Sequence, residues 1–136
     1  MRIFALSAAE SQMYWDDFAH HFERFERVGD RTAAEIKESA GKEMMQVWGL
    51  QDSDEVHGVA VTEIIETASG RVCVICAACG TARKPMQERL LDEIGKWAES
   101  IGCVKVSIQG RKGWLRYFPR FRQTGIVAEW PLKKVH

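Results

Sequence analysis

The stretch AACGTARKPMQERLLDEIGKW, residues 77–97, carries a strand end, a loop and an amphipathic helix in succession. Residues 71–79 are almost continuously apolar, as expected for a strand that is covered on both faces. Pro85 suits the first turn of a helix, where its missing N–H costs nothing, and Gly102 suits the helix end. The helix between them has an apolar stripe at three- and four-residue spacing, made of Leu90, Ile94, Trp97 and Ile101.

The strands upstream of this segment predict an antiparallel meander. Residues 44–50 and 56–67 are rich in the β-branched and aromatic side chains that strands favour. Polar turns over residues 52–55 and 68–70 separate successive strands. A further short strand, residues 2–6, begins the chain.

Two helices are predicted between that first strand and the meander. A capping box over residues 7–10 opens the first helix, which we expect to continue to Gly29. A second capping box, residues 32–35, opens a shorter helix that should close at Gly41. The first helix carries an aromatic stripe, interpreted as core rather than as the floor of a ligand cavity, made of Trp15, Phe18, Phe22 and Phe25.

The last third of the chain predicts a strand, a short helix and a strand. Residues 103–108 form a strand that should run parallel to residues 71–79, because a long helix separates the two. Residues 114–121 predict a short helix and residues 125–132 a final strand. The expected architecture is a single α/β domain of the α+β type, residues 1–136, in the order β-α-α-β-β-β-α-β-α-β.

The composition excludes several classes of protein. With 46% hydrophobic and 28% charged side chains among 136 residues, the chain suits one domain with one core. Basic and acidic residues balance at 19 each, so the whole chain has no field that favours nucleic acid or a membrane surface. The first residues have too short an apolar run for a secretory signal, and no stretch is long enough to span a bilayer. We therefore expect a cytoplasmic location with the four cysteines reduced.

The order of the elements, together with residues 77–97, resembles the GNAT superfamily of acyl-CoA N-acyltransferases over nearly the whole chain. Leu90-Leu91 match the paired aliphatic residues of that family's cofactor-binding helix. The resemblance implies a GNAT-like mixed sheet and, for an active member, transfer of an acetyl group from acetyl-CoA to an amine.

The resemblance also implies where acetyl-CoA would lie. Its pantetheine would pair with the strand from Ala77 to Cys79, and its pyrophosphate would lie on residues 82–87. The family carries glycines in this loop, and their N–H groups hold the phosphates. Both glycines are missing here and Pro85 has no N–H, so a weakened site is expected. The side chains that remain for the phosphates, unless they are ordinary solvated residues, are Arg83, Lys84 and Gln87.

The catalytic positions of the family are also altered. Its proton donor to the leaving thiolate is a tyrosine on the last short helix, and Phe118 falls on that position. Tyr117, one residue earlier, is the candidate donor, or else a partly buried aromatic side chain. Glu63, flanked by apolar residues, is the candidate base if burial raises its pKa. The alternative is that Glu63 and Glu66 are solvent-facing.

The cysteines and histidines do not predict a metal site. Cys73, Cys76 and Cys79 have the spacing of an iron–sulfur or zinc ligand run. In a strand, however, Cys76 would point away from the other two, which would lie roughly 20 Å apart. His20 and His21 are adjacent on a helix and cannot face one metal together. No serine or cysteine lies in a recognisable nucleophile elbow.

Three hypotheses follow for the function. The leading one is a GNAT-fold protein with an eroded acetyl-CoA loop that acts by binding other proteins, such as virion proteins, and is encoded by a phage or prophage. This origin is suggested by residues 110–118, which resemble the strand-to-helix junction of small GNAT-like phage proteins. The second is an active N-acetyltransferase with a small amine substrate. The third is a nucleic-acid module built on the seven basic residues that follow Gly110, against one acid, although a short amphipathic helix is the favoured explanation of them.

Overall fold

The computed structural model describes residues 2–22, 31–108, 118, 120–122, 124, 128 and 130–132, with Cys79 described by its backbone alone. The strands in these residues are β1 Arg2–Leu6, β2 Met45–Asp52, β3 Glu55–Thr67, β4 Gly70–Gly80 and β5 Cys103–Ile108. The helices are α1 Ala8–Met13, α2 Trp15–Phe22, α3 Ala33–Gly41 and α4 Lys84–Ser100. In the part of the chain that is described, no helix is long and apolar enough to cross a membrane.

The strands form one mixed sheet in the order β1-β2-β3-β4-β5. Strands β1 to β4 pair as antiparallel neighbours, and β5 pairs parallel to β4. The predicted meander and the predicted parallel pairing are therefore both confirmed, as is the mixed α+β class.

Helices cover both faces of the sheet. On one face α2 and α3 pack against the side chains of β2 and β3, in a core of Trp15, Phe18, Phe22, Ile36, Ala40, Met45, Val47, Val59 and Val61. On the other face α4 packs in a second core, made of Trp48, Leu50, Ala60, Cys73, Ile75, Leu90, Ile94 and Ala98. Strand β4 contributes to both cores, which confirms that it is covered on two faces.

The first predicted helix is two helices, because the chain turns at Tyr14. The capping box is formed as predicted: the Ser7 hydroxyl accepts from the backbone of Glu10, whose carboxylate accepts from the backbone of Ser7. Helix α1 then ends after six residues, and α2 begins afresh with Asp16 and Asp17 in its first turn. Carboxylates are stabilised at a helix N-terminus, so this pair favours a new start. The predicted end at Gly29 and the position of Phe25 lie outside the described residues.

The aromatic stripe of α2 is core, as interpreted from the sequence. Trp15 and Phe22 stack with ring centroids 4.5 Å apart, and both are buried together with Phe18. These three side chains all follow Tyr14 and lie on one face of α2. Their spacing therefore does not reveal the break at Tyr14.

The two elements predicted after β5 are not present at the positions that the structure describes. Phe118, Arg120 and Phe121, in the predicted last helix, lie outside any helix, and the N–H of Phe121 donates to the carbonyl of Phe118 in a single turn. Pro119 has no N–H and so disfavours a helix here. Ala128 and residues 130–132, in the predicted last strand, are not in a strand.

Candidate functional site

In the part of the chain that is described, the end of β4 has an open edge. The described residues of β5 pair with β4 from Arg71 to Ile75, whereas β3 pairs with β4 as far as Gly80. Within the described residues, no strand continues beside residues 76–80 on the β5 side. Unpaired backbone N–H and C=O groups at such an edge can bind an extended ligand as an added strand. The sequence-predicted positions Ala77 and Cys79 both lie on this edge.

A bulge at Cys76 marks the start of the open edge. The β3–β4 register places Val61 opposite Ala77 and Thr62 opposite Ile75, so Cys76 has no opposite residue. A bulge bends its strand and increases the local twist. The bulge follows directly on Ile75, the last residue that pairs with β5 in the part of the chain that is described.

The loop after β4 is closed onto the beginning of β3. The backbone N–H groups of Thr81 and Ala82 both donate to the carbonyl oxygen of His57, at 2.7 and 3.1 Å. In the β2–β3 register, Leu50 lies opposite Gly58 and Gln51 lies opposite Val56, so His57 has no opposite residue. The His57 carbonyl therefore lies at a second bulge. Gly80 has a φ of 136°, and a Cβ there would collide with the His57 carbonyl and with Gly58. Only glycine therefore allows this approach without displacement.

Two cations lie at the start of α4. Arg83 precedes the helix without a side-chain cap, Lys84 begins it, and the first turn holds no acidic residue. Both side chains belong to exposed residues. Cations at the positive end of a helix dipole repel that end, so an anion bound there would relieve the repulsion.

The side chain of Gln87 is engaged within the same loop. Its Nε2 donates to the carbonyl oxygen of Ala82 at 2.6 Å, and the residue is half-buried. The Gln87 side chain is predicted from the sequence to contact a phosphate, but its amide nitrogen already donates to an acceptor within the protein. Its role with phosphate stays a prediction.

Glu63 lies near the start of the open edge. Its Oε2 accepts from Arg31 at 2.9 Å and lies 3.7 Å from the thiol sulfur of Cys76, with the Glu63 side chain 26% exposed. Burial raises the pKa of the Cys76 thiol to about 11, and the charge of Glu63 adds to the rise while Arg31 opposes it. The carboxylate is thus neither isolated in an apolar site nor simply solvated. Glu66, by contrast, is an exposed partner of Arg71.

The candidate proton donor Tyr117 lies outside the described residues. Phe118, which matches the family's tyrosine position, is buried at 1% exposure. Arg120 donates to Asp92 at 2.9 Å and also to Glu88, so it holds its segment against α4. An arginine paired in this way is a weaker candidate for a nucleic-acid contact.

The cysteine run lies within β4 as predicted. Cys73 packs in the core beneath α4, whereas Cys76 packs against the core on the opposite face. Among the residues that the structure describes, no three His, Cys, Asp or Glu side chains converge to hold a metal ion.

The structure adds residues that the sequence did not single out. His57 and Arg31 had no motif to mark them, because each acts through a contact made across the sheet or between distant segments. Gly80 could have been noticed as a glycine at the end of an apolar strand, which often marks a close backbone approach.

Comparison with solved structures shows which fold this is. An aminoglycoside acetyltransferase from an uncultured soil metagenomic sample, in complex with sisomicin, superposes with a TM-score of 0.74 at 12% identity, covering 97% of this chain and 96% of that one. Glucosamine-6-phosphate N-acetyltransferase from Arabidopsis thaliana gives 0.71 at 12% identity, covering 97% and 98%. A predicted acetyltransferase with acetyl-CoA from Clostridium acetobutylicum gives 0.69 at 12% identity, covering 96% of both chains.

These likenesses define the class: the chain has the GNAT acetyltransferase fold over nearly its full length. No family model matches the sequence, and no curated protein matches it.

Proposed function

We propose that this chain binds acetyl-CoA, or a related acyl-CoA, along the open edge of β4 and transfers the acyl group to an amine. The observation that carries the proposal is the edge of β4 beyond Ile75, beside which no described strand lies on the β5 side and which leads to a cationic helix start. Such an arrangement suits a ligand with an amide-containing arm at one end and phosphates at the other. The solved neighbour that contains acetyl-CoA has the same fold.

The backbone of this chain would hold the pantetheine arm. Ala77 and Cys79 lie in the part of β4 beside which no described strand lies on the β5 side, so backbone N–H and C=O groups of residues 76–80 can pair with the arm's amides. Arg83 and Lys84 would contact the phosphates through their side chains. Bound acetyl-CoA supplies the acyl group as a thioester, together with a thiol leaving group.

The acceptor amine must lose a proton as it attacks. Glu63 is the candidate base, and Arg31 orients its carboxylate. The carboxylate lies 3.7 Å from the thiol sulfur of Cys76, which is at the start of the open edge. Tyr117 is the candidate donor to the leaving thiolate, as the sequence predicts. An amine acceptor is supported by the two structural neighbours whose names give aminoglycoside or glucosamine-6-phosphate substrates.

Calorimetric titration with acetyl-CoA tests the binding step. We expect micromolar affinity, which Arg83→Ala should weaken about fivefold at low salt, because one partly screened cation near a helix N-terminus contributes about 1 kcal/mol. Arg89→Ala is the matched control, since Arg89 is an exposed arginine further along the same helix. Equal losses for both variants would contradict a phosphate contact at Arg83, and no binding at millimolar acetyl-CoA would reject the proposal.

The second candidate is an impaired enzyme that acts by binding other proteins. It is favoured by the loop amides already bonded to His57 and by the buried phenylalanine at position 118. The exposed side chains of Trp130 and Leu132, at 85% and 84%, suit a protein-binding surface. Association with a virion, and a phage or prophage origin, remain predictions within this candidate. This second candidate would be favoured if the chain does not bind acetyl-CoA and if Arg83→Ala still binds the same protein partner as the unmodified chain.

A further inference from the structure

The loop between β4 and α4 is fixed by contacts within the chain itself. The His57 carbonyl accepts from both Thr81 and Ala82, and Gln87 donates to the Ala82 carbonyl. These three hydrogen bonds hold residues 80–82 between β3 and the first turns of α4. We call this arrangement the His57 clamp.

The clamp depends on two features of the backbone. The bulge at His57 removes its residue from the regular β2–β3 register, so the carbonyl is available to the loop. Gly80, with its positive φ, allows the loop to approach that carbonyl without a steric collision. The loop is thus preformed, and two of its N–H groups are directed at protein rather than at a ligand.

We propose that Gly80 and the His57 carbonyl are positioning elements that place Arg83 and Lys84 for phosphate binding, so that phosphates are recognised by side-chain cations and not by the N–H groups of Thr81 and Ala82. This inference rests on the proposed function, because acetyl-CoA is the phosphate ligand. A glycine-rich loop leaves its amides free to surround phosphate. Here the N–H groups of Thr81 and Ala82, at the start of the loop, stabilise the loop instead, and the side chains of the next two residues offer the ligand contacts.

Amide hydrogen exchange of the unmodified protein tests the clamp. In the free protein, the amides of Thr81 and Ala82 should exchange at least about 100-fold more slowly than unstructured amides, because both are hydrogen-bonded. Saturation with acetyl-CoA should leave both rates unchanged within about twofold. Rapid exchange in the free protein would overturn the clamp, and strong slowing on addition of acetyl-CoA would show that the amides are ligand contacts.

A substitution tests the positioning role. Gly80→Ala should release both amides to fast exchange and weaken acetyl-CoA binding about tenfold or more, since the cations lose their placement. Gly95→Ala is the control, because a Cβ at Gly95 meets nothing within 4 Å. Unchanged affinity in Gly80→Ala with the amides released would overturn the positioning role. If the unmodified protein does not bind acetyl-CoA, the proposed function fails, whereas loss of protection in Gly80→Ala still supports the clamp.

Discussion

Thr62 is a fully buried polar residue in the described core, and its hydroxyl makes two hydrogen bonds there. Its hydroxyl accepts from Trp48 Nε1 at 3.0 Å and donates to Gln46 Oε1 at 2.8 Å, and the residue is 0% exposed. The network lies next to the bulge at Cys76, so it holds β2 and β3 together beside that bulge.

Thr62→Val should destabilise the fold by about 1–3 kcal/mol, because the Trp48 N–H loses its acceptor in a buried place. Urea unfolding followed by tryptophan fluorescence measures the change. In the double variant with Trp48→Phe, both partners are removed, so the two losses should be less than additive. Strict additivity would show that this hydrogen bond contributes nothing to stability.

Cys76 gives the fold a dependence on alkaline pH. Burial and the Glu63 charge raise the pKa of its thiol from an ordinary 9.0 to about 11 in the folded state. Above pH 9 the unfolded chain therefore loses this proton first, and the stabilisation present below pH 9 should diminish until about pH 11.

Unfolding free energies measured between pH 8 and pH 11 check this sign. The unmodified chain should lose more stability over that interval than Cys76→Ser, whose hydroxyl does not titrate there. Burial raises the pKa of the Cys73 thiol to about 12. Both proteins contain Cys73, so its contribution to the pH dependence of stability cancels in the comparison. Parallel pH profiles would contradict the placement of the Cys76 thiol beside Glu63.

At the scale of elements, α4 anchors the segment that follows β5. Phe118 is buried, Phe121 packs against the core beneath α4, and Arg120 bridges Glu88 and Asp92, which lie one helical turn apart. Apolar burial and exposed ion pairs thus both hold this segment against α4. Their contributions to the free energy of unfolding should differ in size.

Phe118→Ala should cost about 3–5 kcal/mol, as for other large buried aromatic side chains. Arg120→Ala should cost less than about 1 kcal/mol, because its ion pairs are 28% to 55% exposed on the acidic side. Denaturant unfolding of the two variants separates them. A larger loss for Arg120→Ala would mean that charge, not burial, holds this segment.

The elements also show which patterns in the sequence are informative. The capping box at residues 7–10, the N-cap at Thr32, the meander and α4 could be predicted because each depends on residues close together in sequence. The turn at Tyr14 could not, because Trp15, Phe18 and Phe22 all follow the break and keep their helical spacing. The bulges at His57 and Cys76 depend on which residue of the neighbouring strand lies opposite, and no local pattern records that register.

Over the whole molecule, the fold was more predictable than the site. The order of the strands as far as β5 and the long helix before β5 follow from hydrophobic periodicity, and the GNAT fold of the solved neighbours agrees with that class. The candidate site depends on a bulge in β4 and on a carbonyl contributed by a different strand. The absence of loop glycines was visible in the sequence, but the reason that the loop keeps its shape without them was not.

We propose that β4, beyond Ile75, is the binding edge of this molecule. The sharpest test is the structure of crystals grown with coenzyme A. We expect pantetheine amides paired with the backbone of Ala77 and Cys79, and phosphates against the side chains of Arg83 and Lys84. Coenzyme A bound elsewhere, or phosphates held by the N–H groups of Thr81 and Ala82, would contradict it.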